Sequence, residues 1–231
     1  MYRKYFQTLF LAFCFILPVL LLLIIRTFSH PSYFFSSLYK VVFLFPFLYF
    51  SLFEIRSFRI KVFSGFSVLQ FKKHFLSAFL WGISFSAIYA FAFFLFRPLL
   101  SGDVITSALN SFAAITSSNI LLIGLYIIFV NSLLEEFFWR GFFFVEVSSL
   151  YGKVLGYIFT GIGFSLYHIA FFYSWFSLPF VLLAALGLFC YSLFMCFLFE
   201  RYKDLFTCWF IHGLVDIVQI FIALYLFGIL S

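Results

Sequence analysis

Six ionisable side chains lie within three otherwise apolar stretches of this chain, at spacings that place them on shared helix faces. They are Glu135, Glu136 and Arg140 in the first stretch, His168 in the second, and His212 with Asp216 in the third. An ionisable side chain inside a bilayer costs about 2.5 to 3.5 kcal/mol on insertion scales, so each one requires a partner or a task. We therefore expect the three stretches to meet in one polar site, and we expect the function to lie there.

The first stretch, NSLLEEFFWRG, combines two carboxylates with one guanidinium group. Residues four apart share a helix face, so Glu136 faces Arg140 and their charges compensate each other. Glu135 is rotated by about 100° from Glu136 and has no such partner. A carboxylate beside a charge-compensated neighbour is suited to act as a general base. We therefore predict a base at Glu135 and a structural ion pair between Glu136 and Arg140.

The other two stretches supply imidazole rings and a further carboxylate. His212 and Asp216 are four residues apart and project from one helix face. His168 lies four residues after Phe164 on a separate helix. If the three helices pack together, Glu135, the two histidines and Asp216 surround one cavity.

The composition excludes an ordinary soluble domain. Of the 231 residues, 66% are hydrophobic and only 10% are charged, whereas soluble domains contain about 25% charged residues. The net charge of +6 comes from basic residues in short loops, a distribution that sets membrane topology and does not indicate nucleic-acid binding. The sequence also contains neither a glycine-rich nucleotide-binding motif nor a C-x-x-C pair.

The hydropathy pattern predicts an all-α bundle of about seven transmembrane spans, each near the roughly 20 residues that a bilayer requires. The predicted spans are about Phe6–Ile25, Tyr33–Phe53, Phe75–Phe96, Ile120–Leu150, Val154–Phe172, Pro179–Phe199 and Leu205–Leu230. The second is interrupted by Lys40, whose side chain could extend toward an interface, and by Pro46. The positive-inside rule places the N-terminus inside.

The segments between the spans complete this map. A basic connector over Glu54–His74 is expected to include a short interfacial helix, and Ser101–Asn119 is expected to be a polar loop. Gly152, Gly156 and Thr160 recur at four-residue intervals and predict close helix packing. We predict one integral membrane domain, with N-terminal helices and the connector at 1–118 and a catalytic helical core at 119–231.

The polar stretches resemble the motifs of the CAAX-protease and bacteriocin-processing family of intramembrane proteases, which includes the Ras-converting-enzyme type and the bacterial Abi proteins. Members carry E-E-x-x-x-R, then F-x-x-x-H, then H-x-x-x-N or H-x-x-x-D. The chain reads EEFFWR at 135–140, FSLYH at 164–168 and HGLVD at 212–216. All three motifs are complete and in order, and the resemblance covers about residues 120–220.

This resemblance implies a membrane-embedded hydrolase that cleaves peptide bonds with a glutamate-activated water. By position, Glu135 would be the general base and His168 would hold or polarise the water. His212 and Asp216 would stabilise the tetrahedral oxyanion. We favour a metal-free mechanism, although the same four side chains could also hold zinc.

The remaining motif residues would support the catalytic groups. By the same resemblance, Glu136, Arg140 and Phe164 would surround the catalytic side chains and hold them in place without contacting the substrate. Because an ionised carboxylate donates no hydrogen bond, Asp216 either acts in its protonated form or orients His212. The expected partners are the lipid bilayer and a peptide or protein substrate, which could be prenylated or a leader peptide.

Two other functions remain open at this point. Intramembrane Glu, His and Asp side chains also form proton relays, so the chain could be a small proton-coupled transporter. It could instead be a non-catalytic immunity or scaffold protein that uses the same cluster for binding. For all three we expect a multi-pass protein of the bacterial plasma membrane, because the chain is short and shows no eukaryotic-looking extensions.

Overall fold

The computed structural model describes residues 2–27, 33–53 and 65–230, and the secondary structure in these ranges is helical. The described residues form eight longer helices, when Ile120–Tyr151 is counted as one continuous helix, and two short helical turns at Tyr33–Ser36 and Arg97–Leu99. We number the eight helices in chain order. They are α1 (Tyr2–Ile25), α2 (Leu38–Phe53), α3 (Val68–Phe96), α4 (Gly102–Ala113), α5 (Ile120–Tyr151), α6 (Lys153–Phe172), α7 (Leu178–Tyr202) and α8 (Leu205–Leu226).

The predicted all-α membrane bundle is confirmed. In the part of the chain that the structure describes, six helices are long and apolar enough to cross a membrane, namely all except α2 and α4. Large apolar side chains cover the outer surface, as Leu122, Leu76 and Phe91 illustrate. Contiguous apolar surface of this kind is what lipid contact requires and what soluble monomers avoid.

Three expectations about the connecting regions differ from the structure or lie outside it. The second predicted span is a shorter apolar helix, α2, which begins with 3₁₀ turns over Leu38–Leu44. Helix α3 starts at Val68, so part of the predicted connector belongs to this helix, while residues 54–64 lie outside the described residues. The predicted polar loop at Ser101–Asn119 is wrong, because much of it forms α4. The inside location of the N-terminus and the domain division remain predictions.

Helix α4 forms where a loop was expected because its first turn is capped. The Ser101 hydroxyl accepts a hydrogen bond from the Val104 N–H at 3.3 Å, which satisfies one otherwise unpaired donor. Its apolar residues include Ile105, which is buried. A short amphipathic helix therefore satisfies the backbone better than an irregular segment beside the apolar bundle would.

Asp204 fixes the start of α8 and ties it to α3. Its Oδ2 accepts hydrogen bonds from the Thr207 N–H at 2.8 Å and the Thr207 hydroxyl at 2.7 Å. Its Oδ1 accepts from the Ser67 N–H at 2.9 Å, and Ser67 itself caps α3. A single buried carboxylate thus sets the register of two helices that pack along each other.

Helices α5 and α6 form a hairpin joined by a single residue, Gly152. Its φ of +93° lies in the region that glycine adopts without a steric cost, which allows the immediate reversal. Four residues later, a Cβ at Gly156 would collide with the Ser148 hydroxyl. The small residues therefore let the two helices approach closely at the start of the hairpin.

We expect Gly163→Ala to destabilise the protein and Gly187→Ala to leave it unchanged or slightly stabilise it. A Cβ at Gly163 would lie 2.7 Å from Trp139 Cζ3, and the Trp139 ring is fully buried. Overpacking of this kind costs about 1–3 kcal/mol. Gly187 faces open space, with nothing within 4 Å of the added Cβ. Thermal unfolding of both variants in the same detergent checks this, and equal melting temperatures would contradict the close α5–α6 contact.

Candidate active site

Helix α5 is irregular around the first polar motif. Segments Ile127–Asn131 and Phe137–Phe144 are π-helical, and they flank one regular segment at Ser132–Glu136. Such wide turns are rare and occur frequently at functional sites. They bracket the two adjacent glutamates, Glu135 and Glu136.

Glu135 is held by two hydrogen bonds to one of its oxygens. Asn131 Nδ2 donates to Glu135 Oε1 at 2.6 Å, and the Tyr167 hydroxyl donates to the same oxygen at 3.0 Å. The other oxygen, Oε2, has no hydrogen-bond partner among the described residues and lies 3.7 Å from His168 Nε2. Only 2% of Glu135 is exposed, so this buried carboxylate has one fixed oxygen and one available oxygen.

The His168 ring has a defined orientation. Its Nδ1 lies 2.8 Å from the Phe164 carbonyl oxygen, which can only accept, so Nδ1 carries the hydrogen. In the neutral ring Nε2 is then an acceptor, and it faces the Glu135 carboxylate across a separation too long for a direct hydrogen bond. The His168 side chain is 26% exposed, far more than that of Glu135. The pair therefore presents two acceptors at the accessible side of the site.

Glu136 lies at the centre of a second, fully buried network. Its Oε1 accepts from Arg140 Nη1 at 2.9 Å and from His212 Nδ1 at 2.8 Å. Arg140 Nη2 also donates to the Ser192 hydroxyl at 3.3 Å, and its guanidinium lies 4.5 Å from the centre of the Phe164 ring. This network connects α5 to α6, α7 and α8, with the positive charge of Arg140 beside the Glu136 carboxylate.

His212 and Asp216 project from the same face of α8 into this region. His212 uses Nδ1 for Glu136, so Nε2 is the atom that faces Asp216 Oδ1, at 3.8 Å. This separation exceeds a hydrogen bond. Asp216 Oδ2 makes no hydrogen bond to any side chain or backbone group in the described ranges. Both residues are nearly fully buried.

The structure brings the three polar motifs together. Glu135 contacts the second motif through His168, and Glu136 contacts the third through His212. Each adjacent glutamate thus serves a different helix. Among residues 2–27, 33–53 and 65–230, no group of three or more His, Cys, Asp or Glu side chains is arranged so that it could hold a metal ion.

Sequence reasoning missed several residues of the site. Asn131 lies four residues before Glu135, so helical spacing could have revealed it. Tyr167 directly precedes His168, but a lone tyrosine in an aromatic-rich helix carries no signal of its own. Ser192 approaches from α7, and no spacing along the chain relates it to the motifs.

Comparison with known proteins supports the assignment that the motifs indicate. Residues 117–218 match the model of the Rce1-like family, which is described as type II CAAX prenyl endopeptidase Rce1-like. This range contains all six of the ionisable motif residues. No curated protein and no solved structure gave a significant match.

Proposed function

Residues 117–218 belong to the Rce1-like family of type II CAAX prenyl endopeptidases, and from this premise we propose how the site acts. The protein is an intramembrane endopeptidase that hydrolyses a peptide bond near the C-terminus of a membrane-associated protein or peptide. The nucleophile is a water activated by Glu135. The observation that carries this proposal is the pair of facing acceptors, Glu135 Oε2 and His168 Nε2, 3.7 Å apart.

Water activation follows from the hydrogen-bonding capacity of these two atoms. A water placed beside both can donate one hydrogen to Glu135 Oε2 and the other to His168 Nε2, which directs an oxygen lone pair toward the substrate carbonyl. As the water attacks, Glu135 takes one proton and the carbonyl oxygen becomes an oxyanion. Glu135 then returns the proton to the departing amine, so that the peptide bond is hydrolysed without net change in the enzyme.

The third motif supplies the oxyanion site in this proposal. With Nδ1 donating to Glu136, His212 can donate from Nε2 only when the ring carries both protons. The carboxylates of Glu136 and Asp216 on either side of the ring are compatible with that form. In the alternative form Asp216 is protonated and donates to the oxyanion itself, and the Glu136 carboxylate alone balances the charge of the His212 ring. Each preorganised donor of this kind is worth about 10²–10³ in rate.

Glu136, Arg140 and Phe164 are positioning residues in the same scheme. Glu136 holds the His212 ring by Nδ1, and Arg140 compensates the charge of Glu136. The Phe164 carbonyl fixes the His168 ring, and its own ring lies against Arg140. These contacts lock the rotamers of both histidines, which a precise catalytic geometry requires.

The burial of the site favours a substrate that is itself membrane-associated. Glu135 and Asp216 are nearly inaccessible, and the surrounding helices are apolar. Moving a polar peptide from water into an apolar site is unfavourable. A peptide that is anchored in the bilayer by an apolar segment, a prenyl group or a leader sequence offsets that cost with the burial of its apolar anchor. We therefore place CAAX-type or leader-type sequences first among the substrates.

We expect the purified protein, reconstituted in vesicles, to cleave quenched fluorescent peptides that carry a hydrophobic anchor and a nearby C-terminus. We expect the rate to be unchanged by a strong chelator, because no metal takes part in the proposed steps. Abolition by chelator and recovery with zinc would contradict the metal-free mechanism. Tight binding of the peptides without any cleavage would contradict the peptidase and favour a binding role.

A further inference from the structure

A lysine lies among three aromatic rings close to the site. Lys40 Nζ is 5.1 Å from the Tyr126 ring centre, 5.7 Å from that of Tyr33 and 5.8 Å from that of Tyr39. These distances fall within the range of cation–π attraction. The rings come from α5, from the turn before α2 and from α2 itself, so Lys40 does not simply extend toward an interface.

The N–H donors of the Lys40 ammonium group have no hydrogen-bond acceptor among the described residues. It can donate three hydrogen bonds, yet among the described residues its side chain contacts aromatic rings and forms neither a hydrogen bond nor an ion pair. A cation among apolar helices is costly to maintain, and aromatic rings offset only part of that cost. An anionic group on a bound ligand would accept hydrogen bonds from this ammonium group and balance its charge.

A short chain of contacts joins Lys40 to the proposed general base. The hydroxyls of Tyr39 and Tyr167 are 3.2 Å apart, and Tyr167 donates to Glu135 Oε1. Lys40 is also close enough for its charge to interact with those of Glu135 and Asp216. The lysine therefore borders the place where the scissile bond would lie.

Resting on the proposed function, we propose that Lys40 binds the free C-terminal carboxylate of the substrate peptide. Cleavage near a C-terminus releases a short fragment, and a short fragment spans only the distance between the reacting carbonyl and its own end. A fixed cation beside the water-activating pair would therefore set how many residues are removed. It would also select chain ends over internal segments, because an internal segment presents no carboxylate to satisfy the ammonium.

The proposal predicts a specific loss of discrimination in Lys40→Met. Two quenched peptides of identical sequence are compared, one ending in a free carboxylate and the other in an amide. For the wild type we expect kcat/KM to be about 10- to 100-fold higher for the acid, since one charge-assisted hydrogen bond is involved. In Lys40→Met the KM for the acid should rise until the acid and the amide are cleaved with equal kcat/KM, so the ratio between them should approach 1. Lys40→Arg should restore part of the preference.

Three results would overturn the carboxylate site. The wild type could treat acid and amide alike, a result that needs no variant and so does not depend on folding. Lys40→Met could lower both rates by the same factor, which would indicate a general effect on the site. The surface variant Lys153→Met could remove the preference equally well, which would indicate a nonspecific charge effect.

A binding measurement separates this inference from the peptidase assignment. Fluorescently labelled acid and amide peptides are titrated against Glu135→Gln and against Glu135→Gln/Lys40→Met. Tighter binding of the acid, lost with Lys40, supports the carboxylate site even if the wild type cleaves nothing, in which case only the proposed function fails. Equal binding of the two peptides to Glu135→Gln overturns the carboxylate site even if cleavage is observed.

Discussion

Glu135→Gln is expected to lower kcat for peptide cleavage by about 10²–10⁴-fold, the contribution typical of a positioned general base. The glutamine can keep its carbonyl oxygen at the position of Oε1, where Asn131 and Tyr167 donate. Its amide nitrogen then replaces Oε2, and an amide nitrogen is a donor that takes no proton from water. Peptide binding should therefore persist while turnover is lost. Steady-state kinetics in vesicles, with peptide binding measured separately, check both expectations.

The matched control for this change is Glu200→Gln. Glu200 forms an ion pair with Lys153 and accepts a hydrogen bond from the Tyr157 hydroxyl, away from the polar site. The same chemical replacement there should leave kcat within about twofold, because an ion pair of this kind contributes little. Turnover by Glu135→Gln at the wild-type rate would remove Glu135 from the role of base. The polar cluster would then be better explained by binding or transport.

Arg140→Met is expected to lower the free energy of unfolding by about 3–5 kcal/mol, the cost of breaking a buried ion pair by removing one partner. Arg140 and Glu136 are both fully buried, and the guanidinium is the charge that compensates the Glu136 carboxylate. Methionine fills similar space but leaves that carboxylate uncompensated. Thermal unfolding in detergent, and the amount of folded protein recovered from membranes, measure the loss.

Two further variants test whether the uncompensated charge is the cause. Lys153→Met breaks an ion pair whose lysine side chain is 73% exposed, and should cost at most about 1 kcal/mol. The double variant Arg140→Met/Glu136→Gln removes both charges and should recover a large part of the stability lost in the single variant. If the double variant is no more stable than Arg140→Met, the loss arises from packing against Phe164 and not from charge.

The helices that carry the motifs could be predicted closely from sequence. Long apolar runs fix α5 to α8 within a few residues, because the bilayer thickness sets their length. Four-residue spacing correctly paired Glu136 with Arg140, even though this pair lies where α5 becomes π-helical. The contacts between motifs were anticipated only as a convergence, since spacing does not identify which glutamate meets which histidine.

The rest of the site depends on tertiary packing, which the spacing of residues along the chain does not reveal. Tyr167 and Lys40 have no periodic relation to the motifs, and their contacts exist only because α2 packs near α5 and α6. The hydrogen bond between Glu136 and His212 joins two helices whose residues lie 76 positions apart in the sequence. The shortness of α2 was likewise hidden, because Lys40 and Pro46 interrupt an apolar run without marking its ends.

The single-residue turn at Gly152 bears on how the chain enters the membrane during synthesis. Helices α5 and α6 are consecutive and their polar side chains already match, since Glu135 is bound by Tyr167 on the next helix and Glu136 by Arg140 on its own. A nascent hairpin could therefore cross into lipid as one unit, with each of these carboxylates partnered before α8 has left the ribosome. Only His212 and Asp216 would join later. In biogenesis, half of the polar site is thus a local structure, and truncation after α6 should still yield an inserted hairpin.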